Sequence, residues 1–315
     1  MSQFSSNYPF DLQGQDQPYY ILNSSNLEEV IPKSFHSTKD LYHADRLATL
    51  QAGNLKYFTS DQEIKTFSHI PSNEGLQDLN ISGSAQFTHS GFKWILDQIQ
   101  QRKGQISSLI NIDLREESHC FYKGLPVSHY IPGNCLNFGL SNLDVEKCEN
   151  QWINSLKDQS QIEIKIVLEK SDGLFKNTNT VILDNQNSQD ITSEQDFIEK
   201  SQGFNYIRIP IGDHTRPTDE DMREIYTLFS KVDTFQWLHF HCAGGKGRTT
   251  TLMVLYDIFI NHQRYQNLTV EDYVLRHYLI GGINLFTCPI IEWKANSTLA
   301  RAQFIRHFYQ TFYEI

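Results

Sequence analysis

The sequence predicts an α/β domain: a mainly parallel central sheet flanked by helices, with a small β-rich insertion. Three observations carry this. In the second half, short apolar runs of strand character alternate with longer runs of helical period, the pattern of strand–helix crossover units. One helical run, residues 247–261, is apolar nearly all round (Leu252, Met253, Val254, Leu255, Ile258, Phe259, Ile260), which suits the centre of a layered domain. Within about 144–190, two strand-like runs flank Ser171-Asp172-Gly173, a turn signal that makes them a hairpin.

The elements follow in order. Residues 1–30 are polar and rich in Ser, Asn and Gln, and read as an arm in which Tyr19, Tyr20, Ile21 and Leu22 could dock. The main domain is expected over 31–315. Phe92, Ile95, Leu96 and Ile99 fall at helical spacing within 91–101. Residues 108–112 read as a buried strand running into Asp113-Leu114-Arg115-Glu116-Glu117. Residues 163–168 and 180–183 are the hairpin strands, and 184–195 a loop. Residues 206–209 form a strand, after which Pro217 and Thr218-x-x-Asp221 open a capped helix to about 232. Residues 237–241 form a strand, followed by the helix at 247–261. A further helix opens at Thr269-x-x-Asp272 and stops at Gly281-Gly282; the last covers about 297–313.

Composition narrows the function classes. A chain of 315 residues with 20 Phe and 15 Tyr can bury a sizeable core. The net charge of −10 argues against a nucleic-acid coat or a basic membrane-surface protein. It leaves room for a local basic site, because screening confines charge effects to about 8–10 Å at physiological salt. No run of about 20 apolar residues exists to form a transmembrane segment, and no signal peptide is visible at the start. The five cysteines (120, 135, 148, 242 and 288) are odd in number and scattered, so neither a disulfide framework nor a zinc ribbon is expected, and at least one thiol should be free. His239 and His241 point one way on a strand, but no nearby third ligand completes them. No metal and no cofactor is expected.

The most informative stretch is His241-Cys242-Ala243-Gly244-Gly245-Lys246-Gly247-Arg248-Thr249, between a buried strand and a buried helix. Backbone N–H groups of such a loop, with the positive end of the helix dipole, converge on an anion and favour Cys242 as a thiolate. The planar fork of Arg248 suits two phosphate oxygens. Thr249 can hydrogen-bond the sulfur, and His241 can buttress the loop. A nucleotide P-loop is excluded, because it needs Ser or Thr directly after the lysine and Gly247 follows Lys246.

This loop resembles the H-C-x5-R-S/T signature of the cysteine-based protein tyrosine phosphatase superfamily. More narrowly, the chain resembles the protein tyrosine phosphatase-like phytases, the cysteine-based myo-inositol polyphosphate phosphatases. Three other stretches support that match: Asp113-Leu-Arg-Glu-Glu-Ser-His119 with Gly124-Leu-Pro-Val-Ser128, Ser82-Gly-Ser-Ala-Gln-Phe87, and Tyr206-Ile-Arg-Ile-Pro-Ile-Gly-Asp-His214. Together they cover roughly 31–315. The resemblance implies the phosphatase fold and a phosphocysteine mechanism. Cys242 attacks phosphorus; Asp213, 29 residues earlier, protonates the leaving oxygen and then activates water; Arg248 and the amides of residues 243–247 hold the phosphoryl oxygens.

His214, Arg216, Lys246, Arg115 and Lys294 are expected to meet further phosphates, and Asp113 to orient a basic residue. For Arg115 an internal ion pair with Glu116 or Glu117 is the competing expectation. The loop departs from the family at Ala243 and Gly244, Arg216 stands where a Trp is common, and Lys246 is similar to the lysine of the phosphatase-and-tensin-homologue lipid phosphatases. The substrate expected is therefore an inositol polyphosphate, with protein tyrosine or dual-specificity phosphatase and phosphoinositide lipid phosphatase as alternatives. The expected location is the cytoplasm, or delivery as a bacterial secreted or effector protein.

Overall fold

The computed structural model describes residues 18–22, 30–106, 108–171, 174–185, 187–287 and 292–312. The strands are β1 (Tyr19–Leu22), β2 (His36–Ser37), β3 (Lys56–Phe58), β4 (Ile64–Thr66), β5 (Ile81–Ala85), β6 (Leu109–Arg115), β7 (His119–Tyr122), β8 (Leu125–Tyr130), β9 (Gln161–Ser171), β10 (Leu174–Asp184), β11 (Ile191–Thr192), β12 (Asn205–Ile211) and β13 (Trp237–Cys242). The helices are α1 (Ala44–Gln51), α2 (His89–Lys103), α3 (Asn142–Lys157), α4 (Glu194–Asp196), α5 (Asp219–Lys231), α6 (Gly247–Asn261), α7 (Val270–Leu279) and α8 (Glu292–Gln310).

The central sheet has the order β12-β6-β13-β5-β2. Its first four strands run parallel and only β2 is antiparallel, so the expected mainly parallel sheet is present. Strand β13 is buried on both faces, as parallel strands between helical layers must be. Alternation then divides its side chains. Leu238, Phe240 and Cys242 enter the large core with α5, α6, α7 and α8, whereas Trp237 joins Phe92, Ile95 and Ile99 of α2 on the other side. Helix α6 is buried along nearly its whole length, which is why its sequence has no polar face. The capping boxes Thr218/Asp221 and Thr269/Asp272 start α5 and α7 where the sequence predicts.

The second sheet, ordered β10-β9-β1-β8-β7-β11, contains the expected hairpin β9–β10. It differs from the expected insertion in two ways. The region expected to be β-rich opens with α3, whose Trp152, Ile153 and Leu156 pack on this sheet. Strand β1, from the expected arm, pairs with both β8 and β9, so a boundary at residue 30 cuts a strand from its own sheet. Residues 1–17 and 23–29 of the arm, the turn residues Asp172 and Gly173, and Cys288 lie outside the described residues. Cys120, Cys135, Cys148 and Cys242 are free thiols. Among the described residues no helix is long and apolar enough to cross a membrane.

Candidate active site

Strand β13 ends at Cys242 and helix α6 begins at Gly247, so the loop between them lies at the positive end of a buried helix. Backbone requires glycine at 245, and the end of the Arg301 side chain crowds Gly247. A Cβ on Gly245, whose φ is +63°, would lie 2.2 Å from the Ala85 amide nitrogen, and one on Gly247 would lie 2.5 Å from Arg301 Nη1. Gly244 and Lys246 are exposed and Ala243 half-exposed. Thr249 Oγ1 donates to Cys242 Sγ at 3.2 Å, as expected.

Arg248 is buried and held from below. Nη1 and Nη2 donate to Glu117 Oε2 and Oε1 at 2.7 and 3.0 Å, and Nη1 also reaches the Ile211 carbonyl at 3.0 Å. Its Nε is buried with no hydrogen-bond partner among the described residues. Burial alone would raise the Glu117 carboxyl; Arg248 and Arg115 instead hold it below the usual carboxylate range. Glu117 thus fixes the guanidinium plane while one edge remains available.

Asp213 lies in the loop after β12, close to this guanidinium. Its Oδ1 is 3.2 Å from Arg248 Nη2 and accepts from the His214 amide, and its Oδ2 accepts from Asn134 Nδ2 at 3.2 Å. The next residue, His214, has φ +66°, a left-handed conformation that is uncommon for a side chain of this size. Burial pushes the His214 imidazole down to about 4, Asp213 opposes this, and Lys294, Arg248 and Arg301 push the same way as burial. These five residues therefore share one electrostatic neighbourhood. Arg301 of α8 donates from Nε and Nη2 to the Thr215 carbonyl at 3.2 and 2.9 Å, tying the Asp213 loop to α8. Burial lowers it to about 10.

Arg115 and His241 are corrected as site residues, and Asp113, expected to orient a basic residue, does so out of a ligand's reach. Arg115 is fully buried and bonded to Glu117 Oε1 (3.1 Å) and Ser128 Oγ (2.7 Å), so it has no surface to offer a ligand. Asp113 is also fully buried, where it accepts from Tyr206 Oη and pairs with His119 Nε2 at 3.1 Å. His241 faces away from the Cys242 side: its Nε2 is 2.7 Å from Glu194 Oε1, in a buried network that continues through His119 and Glu149 to Arg208. Arg216 stays partly exposed but turns toward the start of α5, donating to the Pro217 carbonyl and packing on Phe304.

Asp113, His119 and Glu194 bring ligand-type atoms within 4.8 Å of one another. Burial and Arg115 would lower the His119 imidazole, but Asp113 and Glu149 more than reverse this and raise it to about 9, so it holds its proton among carboxylates.

The sequence offers Glu117 only as a candidate ion-pair partner of Arg115, not as the anchor of Arg248, and gives Asn134 and Arg301 no role. Only Glu117 had a signal, the D-L-R-x-E-S/T-H stretch. Asn134 and Arg301 reach the site through tertiary packing.

The chain is similar to several known proteins. Residues 112–260 match the PTP-like phytase (inositol hexakisphosphate) family model. The effector protein HopD2 of Pseudomonas syringae pv. tomato is 27% identical over 259 residues, covering 79% of this chain and 53% of its own. The tandemly repeated protein tyrosine phosphatase-like phytase of Mitsuokella multacida is 26% identical with a TM-score of 0.75, over 94% of this chain and 46% of that one. The PTP-like myo-inositol phosphatase of the same organism, solved with myo-inositol-(1,3,4,5)-tetrakisphosphate, is 25% identical with a TM-score of 0.76, over 96% and 48%. The chain spans about half the length of each of these relatives. Residues 112–260, which carry the reactive loop, thus resemble the PTP-like phytase family, and the chain shares its fold with solved PTP-like phytases.

Proposed function

We propose that this protein is a cysteine-dependent phosphatase that hydrolyses phosphomonoesters of myo-inositol polyphosphates through a phosphocysteine. The observation that carries the reading is the convergence of Cys242, Arg248 and Asp213, with the Asp213 carboxylate 3.2 Å from the Arg248 guanidinium. The Cys242 sulfur attacks phosphorus as the bond to the leaving oxygen breaks, and Asp213 supplies the proton that oxygen needs, since an inositol alkoxide leaves poorly. Arg248 and the loop amides hold the phosphoryl oxygens through the transition state. Water then attacks phosphorus with Asp213 as base, and Thr249 eases departure of the sulfur. His214, Lys294, Arg301 and Lys246 supply donors for a substrate that carries several phosphates. The inositol tetrakisphosphate bound by the Mitsuokella relative supports this substrate class. The likeness to a protein described as an effector favours delivery as a secreted or effector protein over the cytoplasm.

The test is phosphate release from inositol hexakisphosphate by the protein and by Cys242→Ser. A loss of about 1,000-fold or more is expected for removal of the nucleophile. Equal release by the two proteins overturns the reading. Running a phosphotyrosine peptide and a phosphoinositide vesicle alongside identifies the substrate class, and a preference for either over inositol hexakisphosphate overturns the substrate assignment while leaving the chemistry.

A further inference from the structure

The two adjacent carboxylates at the end of β6 behave differently. Glu117 is bonded to Arg248 and Arg115. Glu116, 7% exposed, has Oε2 buried with no hydrogen-bond partner among the described residues. That oxygen lies against Gly212, the residue before Asp213: a Cβ on Gly212 would be 3.3 Å from it. The charged and titratable groups facing Glu116 are Glu117 beside it, Arg248 from α6, Asp221 from the first turn of α5 and Cys135. Burial and the Glu117 charge push the Glu116 carboxyl up to about 7, with Asp221 adding and Arg248 opposing. A desolvated oxygen without a donor is costly when charged and cheap when protonated.

We propose that Glu116 is a proton-linked positioning residue: it takes up a proton when an anion binds in the Cys242 loop, and its ionisation weakens that binding. This rests on the anion-binding reading above. An anion on Arg248 adds negative potential next to Glu116 and favours its neutral form. Linkage makes the effect reciprocal, so an ionised Glu116 repels the anion by the same free energy. A neutral Glu116 also removes a second negative charge from beneath the loop that carries Asp213.

Sulfate is the probe, because it does not itself titrate near neutrality, and the Cys242→Ser protein is the host. Calorimetry at about pH 7 in buffers of different ionisation enthalpy reads the protons exchanged; an uptake of roughly 0.3–0.5 proton is expected from a half-ionised group driven neutral. Cys242→Ser/Glu116→Gln should take up almost none. Sulfate affinity should fall about fivefold between roughly pH 6 and pH 8 in the first protein and stay flat in the second. Binding with equal proton uptake in both proteins overturns the inference alone. No sulfate binding in either overturns the anion-site reading and the inference with it. Where Glu116→Gln fails to fold, a pH-independent affinity in Cys242→Ser is enough to overturn the inference.

Discussion

The two faces of strand β13 hold charge in opposite ways. On the His241 face, Asp113, His119, Glu149, Glu194 and Arg208 are buried and pair with one another. On the Cys242 face, Arg248 is anchored on one edge and keeps Nε without a partner among the described residues, and the hydrogen bonds of Arg301 go to a carbonyl. Residues adjacent in sequence thus have different tasks because a strand sends them to opposite sides. Charges paired within the protein hold its strands and helices together. Charges left with a free edge are the ones that can act on a ligand.

Substitutions that break this contrast should differ in what they change. Asp213→Asn, on the ligand side, should lower turnover of inositol hexakisphosphate by about 100-fold or more, the usual scale of a positioned general acid, with little change in melting temperature. Hydrolysis of an aryl phosphate, whose phenol leaves without help, should fall much less. Equal losses on the two substrates would contradict the role of Asp213 as acid.

Glu117→Ala touches both tasks, since it leaves Arg248 and Arg115 without their carboxylate. Breaking a buried pair from one side costs about 3–5 kcal/mol, so both the unfolding free energy and turnover should drop. A denaturant melt that is unchanged would show that Arg248 is held by other means.

His119→Gln, on the paired side, should act on stability and its pH dependence more than on chemistry. His119 is raised from 6.5 to about 9 in the folded protein. Its charged form therefore contributes stability fully below pH 6.5, and that contribution is lost as pH rises through about 9. The substituted protein should be less stable at low pH, with the difference shrinking across this window; a constant difference would contradict the assignment. Smallest of all, Arg216→Ala should change turnover less than about threefold, because its guanidinium is turned to the start of α5.

The reading from sequence succeeded where information is local. The turn from Cys242 to Thr249, the capping boxes and the all-apolar α6 each lie within one short stretch. It fell short where a residue's task depends on distant neighbours. The sequence leaves Arg115 between a ligand contact and an internal ion pair, and only the fold, which encloses it with Glu117 and Ser128, decides for the pair. Helix α3 presents few apolar positions and buries Glu149 among them, because that carboxylate serves His119 and Arg208. Strand β1 is four residues long and acquires its meaning only between β8 and β9. Asn134 and Arg301 come from separate elements and meet Asp213 or its loop only after folding.

The most direct test of the central claim is a rapid acid quench during turnover of inositol hexakisphosphate, followed by mass spectrometry of the peptide that contains Cys242. The expected result is a phosphate on the Cys242 sulfur, absent from Cys242→Ser. Turnover without any phosphate on Cys242 at any quench time would contradict it.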